Sequence, residues 1–195
     1  TKGHPTGTVA NALMHYMEQT GRHFKIRFVN RLDMDTSGLL VIAKNQYCQN
    51  DYTLQMKKNL VEKRYIAIVK GLVEAEEGTI DLPIGRPDPD NVRRGVMDGG
   101  SPSVTHYKVL QRFTKQPYSL VELLLETGRT HQIRVHMKYI GFPLIGDFLY
   151  NPDYTYMDRQ ALHSGRLEFI HPVTGKKMDL ISDIPSDMKS LFKLV

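Results

Sequence analysis

Two short stretches hold residue types that can do chemistry. The first is Asn30-Arg31-Leu32-Asp33-Met34-Asp35-Thr36-Ser37-Gly38, set between apolar runs at 26–29 and 39–43. A carboxylate held at a strand end can act as nucleophile or base. Asp33 and Asp35 are two apart, so an extended backbone would turn both to one face. That is the arrangement of a paired-carboxylate hydrolase. A purely structural reading is equally open, because Asp and Thr side chains close Asx-type turns on nearby backbone. The second stretch is Thr127-Gly128-Arg129-Thr130-His131-Gln132-Ile133-Arg134-Val135-His136, with two Arg, two His and no acid. Read as a helix start capped by Thr130, it would aim N–H groups and arginines at phosphate. Thr130 and Arg134 would share one helix face. A solvated basic helix start is the bland alternative, against which Ile133, Val135 and Met137 argue partial burial. A partly buried Arg needs a carboxylate partner. Asp33 is the candidate, and spacing alone leaves open whether the two meet.

Both stretches need a scaffold. Thr8 reads as an N-cap, Ala10, Leu13, Met14 and Met17 follow at helical spacing, and Gly21 reads as a stop. Residues 26–29 form a short strand pattern, and 39–43 read as a buried strand. Asn45 would cap a helix running to about Lys58. Residues 64–70 are a strong strand pattern closed by Gly71. Residues 83–102 hold four prolines and four glycines and read as loop. Strands follow at 104–110 and 120–126, then a helix over 130–139 with Gly141 and Pro143 beyond it. Strands at 166–170 and 178–181 and a short helix over 185–192 complete the chain. Many strands with three or four helices, not in strict alternation, predict an α+β fold rather than a doubly wound sheet. Since no linker is evident, a single domain over 1–195 is expected.

Composition narrows the function classes. The chain has 195 residues, 41% hydrophobic and 24% charged, ordinary for a folded domain. It has no apolar run of about 18 residues, so no transmembrane helix and no membrane role are expected. Residues 1–5 lack an apolar signal region and an initiator methionine, so a fragment or trimmed product is expected. Cys48 is the only cysteine, which leaves no intrachain disulfide or zinc–thiolate cluster and fits a cytoplasmic protein. A net charge of +5 and a pI near 9.2 point toward nucleic acid. No GxGxxG, GxxxxGK[ST] or HExxH occurs, and Ser37 lies in no GxSxG elbow. His131 and His136 are five apart, poor metal geometry on one helix face. No nucleotide cofactor and no metal are therefore expected.

Longer patterns carry a resemblance. Arg31-Leu32-Asp33, then Thr36-Ser37-Gly38-Leu39 and Ala43-Lys44, resemble the HRLD-x-x-TSG-L-x-x-x-A-K active-site motif of the RluA-type pseudouridine synthases. Lys63-x-Tyr65-x-Ala67-x-Val69-x-Gly71 is similar to that family's K-x-Y-x-A-x-V-x-G strand. Thr127 through His136, then Ile140-Gly141-x-Pro143-Leu144-x-Gly146-Asp147-x-Leu149-Tyr150, is similar to its TGRTHQIRVH…IG-x-PL-x-GD-x-LY segment. His4-Pro5 with Asn11-Ala12-Leu13 fits the family's start, and Ala161-Leu162-His163 with Phe169-x-His171-Pro172 fits its end.

The resemblance implies the pseudouridine synthase catalytic fold, a mixed and mainly antiparallel sheet with flanking helices. It implies isomerisation of uridine to pseudouridine in RNA, in ribosomal RNA ahead of transfer RNA, without a cofactor; a monomer is the default expectation. Asp33 is then the essential catalytic carboxylate, Arg134 its partner, and Tyr65 the tyrosine against the target base, with Ile133 packing nearby. Arg31 would hold the flipped nucleotide or fill its vacated space. Arg129 and His131 are the candidate phosphate contacts, with Lys138, Arg86, Arg93 and Arg94 behind them. Asn30 stands where the family has His, and activity is expected to survive that. Gly100-Ser101-Pro102-Ser103 stands where the family often has G-K-x-A, which would remove a basic RNA contact. The family's early K-P-x-G segment and the S4-type RNA-binding domain that many relatives carry would lie before Thr1, so this fragment is expected to bind RNA more weakly than the full protein. An inactive RNA-binding module would explain the charge but not an RLD-x-x-TSG segment accompanied by Tyr65 and Arg134. The hydrolase reading with Asp33 and Asp35 ranks below both.

Overall fold

The computed structural model describes residues 5–192; the His4 of the start motif lies outside them. In chain order the elements are α1 (Val9–Thr20), β1 (Arg27–Phe28), β2 (Ser37–Gly38), β3 (Ile42–Ala43), α2 (Gln46–Lys57), β4 (Glu62–Lys70), β5 (Glu77–Asp81), β6 (Ile84–Gly85), β7 (Gly95–Val96), β8 (Val104–Phe113), β9 (Tyr118–Leu125), α3 (Gln132–Tyr139), β10 (Leu162–Ile170), β11 (Lys177–Ile181) and α4 (Ser186–Leu191). The main sheet runs β11-β10-β4-β9-β8-β5, every pair antiparallel, with β2 added to β10 in parallel. This is the α+β class and the mixed, mainly antiparallel sheet that were expected.

Alternation along β4 shows how the sheet divides its core. Tyr65, Ala67 and Val69 face one side, with Val121, Leu123, Ile133, Met137 and Leu144. Ile68 faces the other, with Leu120, Ile145, Met157, Met188 and Leu191 of α4. The period-2 pattern thus places helices on both faces. No helix is long and apolar enough to cross a membrane among the described residues.

The caps of α1 and α2 follow their sequences. Thr8 and Asn11 form a reciprocal capping box, Gly21 closes α1 in the left-handed region, and Asn45 accepts from Cys48 N–H at 2.8 Å. Four expectations are corrected. Residues 39–43 pair as strand only at Ile42–Ala43 and are half-buried apart from Ala43. The Asn30 side chain competes for that backbone, accepting from Val41 N–H at 2.7 Å and donating to the Leu39 carbonyl at 3.3 Å. Thr130 does not cap α3: the cap position is His131, left-handed at φ 58° and without a side-chain bond to the helix. The loop 83–102 contains a small hairpin, β6–β7. Finally, β5 and the first half of β10 were not legible as strands.

Candidate active site

The cleft that matters lies where β4, the β1–β2 connection and the start of α3 converge. It holds about 380 Å³ and is lined by Asp33, Tyr65, Arg134, Arg31, Arg129, His131 and Ile133, together with Lys63, Leu125 and Leu162. All seven residues singled out in the sequence reach this one cleft. Its lining carries Arg31, Lys63, Arg129 and Arg134 against the single acid Asp33, so an anionic ligand is favoured.

Arg134 is the electrostatic hinge of the site. It is 2% exposed, and Nε and Nη2 each donate to the Asp147 carboxylate at 2.7 Å. Nη1 reaches across to Asp33 Oδ2 at 3.3 Å. The planar guanidinium fork suits this division, two bonds to one carboxylate and one arm left for another. Asp147 is fully buried and also accepts the Leu149 and Tyr150 N–H groups at 3.0 and 3.1 Å. The guanidinium further lies over the Phe148 and Tyr150 rings, 5.5 and 5.1 Å from their centroids. Asp147 therefore fixes Arg134, and Arg134 orients Asp33 through Oδ2, leaving Oδ1 without a hydrogen bond among the described residues.

The Asp33 loop is held from three sides. The Thr36 N–H closes a turn on the Asp33 carbonyl at 3.0 Å. Asp35 is left-handed at φ 67°, and it is exposed and absent from the cleft lining. The paired-carboxylate arrangement thus fails, because a turn rather than an extended strand carries the two acids. The Asx reading fails as well, since Asp33 is spent on Arg134 instead of on its own backbone. Gln160, fully buried, donates to the Met34 carbonyl at 2.6 Å and to Thr36 Oγ1 at 3.0 Å. Arg159 donates to the Asp35 carbonyl at 3.1 Å and grips Asp187 of α4 with two bonds. Just beyond, Gly38 sits at φ 111° against β10, where a Cβ would collide with the Ser164 backbone.

A buried polar network seats the start of α3. The Gln132 side chain accepts from Thr127 Oγ1 and Arg129 N–H, and donates to the Val104 carbonyl and Thr105 Oγ1, all within 3.0 Å. His136 Nε2 donates to the Leu82 carbonyl at 3.0 Å, so Nδ1 accepts from Thr105 at 2.9 Å. Burial lowers the pKa of His136, outweighing that carbonyl and the Asp81 charge. A solvated basic helix start is excluded, since every residue from Gln132 to Met137 is buried.

His131 is likewise lowered by burial, ahead of the charges of Asp33 and Arg134. The Tyr150 hydroxyl accepts from Arg94 N–H at 2.8 Å and donates to His131 Nδ1 at 2.9 Å. The ring is then neutral with its proton on Nε2, a hydrogen-bond donor rather than a cation. Burial raises the pKa of Tyr65 first of all, with Asp33 adding to the shift and Ser164 opposing it. Its hydroxyl stays protonated at neutral pH. Arg93, Arg94 and Lys138 line a separate cleft of about 390 Å³ between the β6–β7 hairpin and α3. Arg86, Arg94 and Arg129 share a third.

Asp147, Gln160, Tyr150, Lys63 and Asn30 were not singled out as site residues. Asp147 and Tyr150 stood inside the matched GD-x-LY segment, which was the only signal for them.

Comparison with known proteins bears on this geometry. A family model described as RNA pseudouridylate synthase matches residues 3–139. The chain is 47% identical over 195 residues to the uncharacterized RNA pseudouridine synthase YlyB of Bacillus subtilis strain 168, covering 98% of this chain and 64% of that protein. It is 41% identical over 198 residues to ribosomal large subunit pseudouridine synthase D of Nitrosomonas europaea, covering 97% and 57%. The chain thus spans about three fifths of the length of these relatives. Human RNA pseudouridylate synthase domain containing 1 superposes with a TM-score of 0.76 at 27% identity, over 90% of this chain and 74% of that one. Its domain containing 4 counterpart shares the fold, with a TM-score of 0.80 at 23% identity. The chain belongs to the RNA pseudouridylate synthase family.

Proposed function

We propose that this cleft isomerises uridine to pseudouridine in RNA, with Asp33 as the essential carboxylate. The observation that carries the reading is one carboxylate, positioned by a buried Arg134–Asp147 pair, in a cleft otherwise cationic and apolar. The net reaction breaks the N1–C1′ bond, turns the base and forms C5–C1′, with the C5 proton lost and one gained at N1. It is redox-neutral, so it draws only on positioning and proton transfer. A flipped uridine would rest on Tyr65, Ile133 and Leu125, its ribose toward Asp33. The protonated Tyr65 hydroxyl would serve proton movement at C5. Arg31 would hold the flipped nucleotide, while Arg129 and neutral His131 would bond its phosphates.

Ribosomal RNA is the first substrate to test, because relatives named ribosomal large subunit pseudouridine synthase D align along nearly the whole chain. The experiment maps pseudouridine by carbodiimide adduct and primer extension. Unmodified large-subunit ribosomal RNA and bulk transfer RNA are each treated with the wild type and with Asp33→Asn. A new stop with wild type alone, and preserved RNA binding by the variant, is the expected result. Equal modification by both proteins would overturn the role of Asp33.

A further inference from the structure

Lys63 lines the cleft with no counter-ion among the described residues. It lies two residues before Tyr65 on β4, so the two side chains leave the same face, about 6.6 Å apart along the strand. The residue is 7% exposed and lines the cleft alongside Met56 and Val29. The nearby acids are taken: Glu62 pairs with Arg64 at 2.6 Å, and Glu168 pairs with Arg166 and Lys177. Among the described residues no acid or acceptor reaches the Lys63 ammonium, yet it is not among the unpaired polar atoms sealed from solvent. The ammonium thus keeps solvent access, and the cleft is where the residue meets open space.

Burial lowers the Lys63 pKa, as expected for a cation with no partner. Such a group costs stability and serves no contact in the fold. Asp33 does not answer it, being engaged by Arg134. The missing partner is an anion that arrives with the ligand. Resting on the reading that this cleft takes RNA, we propose that Lys63 binds the backbone phosphate flanking the target uridine. Phosphate is favoured over the uracil ring on two grounds. An ammonium is a point charge with three rotatable donors, suited to a phosphate. Its offset from Tyr65 is also comparable to the span from a base to its flanking phosphate.

The test compares Lys63→Met and Lys63→Arg with the wild type. Binding of a fluorescent uridine-containing RNA stem-loop is followed by anisotropy between about 50 and 200 mM salt. The Met variant is expected to bind about tenfold more weakly, with the slope of log K against log salt reduced by about 0.7. In turnover of the unmodified substrate the loss falls on KM, with kcat at saturating RNA within about threefold. The Arg variant recovers most of the affinity. The thermal midpoint of the Met variant does not fall, because no protein contact is lost. Unchanged affinity and slope, a fall in kcat at constant KM, or a lowered midpoint would each overturn the proposal. Binding is read without turnover, so a slope change with no pseudouridine formed would sink the proposed activity and leave the phosphate contact standing.

Discussion

Asp147→Asn probes the pair on which the site is hung. The substitution keeps size and shape but removes a charge that is fully buried and bonded twice at 2.7 Å to an arginine only 2% exposed. Arg134 would keep one charged contact, the 3.3 Å bond to Asp33. An amide that accepts from one guanidinium nitrogen must present its own NH₂ to the other. Breaking one side of a buried pair costs about 3–5 kcal/mol. The backbone bonds from Leu149 and Tyr150 survive on the remaining oxygen, which favours the lower end, about 3 kcal/mol. For a chain of this size that is a drop in Tm of about 6–12 °C. Urea unfolding and calorimetry measure it. The double substitution Arg134→Met with Asp147→Leu should return stability to within about 1 kcal/mol, since apolar replacement of a buried pair is often neutral. It should not return pseudouridine formation. Loss of less than about 1 kcal/mol in Asp147→Asn would refute the view that this pair is the buried anchor of Asp33.

Gln160→Leu removes the two hydrogen bonds that Gln160 Nε2 donates to the Asp33 loop. A misplacement of about 1 Å would cut kcat by roughly 100-fold with little change in RNA affinity, and a kcat within twofold of wild type would count against the clamp. Gly38→Ala forces a Cβ into the Ser164 backbone at φ 111° and should cost about 2 kcal/mol or more in unfolding experiments; a neutral result would mean that β2 shifts freely. The half-buried His131 and the buried His136 and His163 all have pKa values lowered below the ordinary 6.5, in each case chiefly by desolvation. Their neutral forms contribute stability in full above about pH 6.5, and that contribution is lost as pH falls through the lower folded values. Stability measured from pH 7 down to about 5, where carboxylates remain ionised, should fall, and His136→Gln should flatten the slope. Tyr65→Phe keeps the ring in the cleft and removes the hydroxyl, so on the proposed role turnover should fall while RNA affinity holds; equal turnover would remove Tyr65 from proton transfer.

Local chemistry was legible where it is written locally. Thr8 and Asn45 as caps, Gly21 as a stop and the alternation of β4 all follow from neighbours a few residues away, and the structure agrees with them. The α+β class followed from the same patterns. Where a distant partner competes for the backbone, the reading failed. Residues 39–41 looked like buried strand, but Asn30 and Ser164 take their backbone groups. Thr130 looked like a cap, but the chain turns left-handed at His131, and the next residue, Gln132, bonds Thr105 and Thr127 instead.

The site divides along the same line. Asp33, Tyr65 and Arg134 were identifiable because their motifs are contiguous, and contiguous spacing is what a sequence records. Their convergence was not, since 101 residues separate Asp33 from Arg134. Nor did spacing decide between one carboxylate and two. The left-handed backbone at Asp35 and the Arg159 and Gln160 contacts settle that, and they come from 124 to 126 residues away. Sequence by itself determined which groups are available and which local turns they favour. Burial, the pairing of Arg134 with Asp147 and the lone ammonium of Lys63 were decided only in three dimensions, because the cost of a charge depends on what surrounds it.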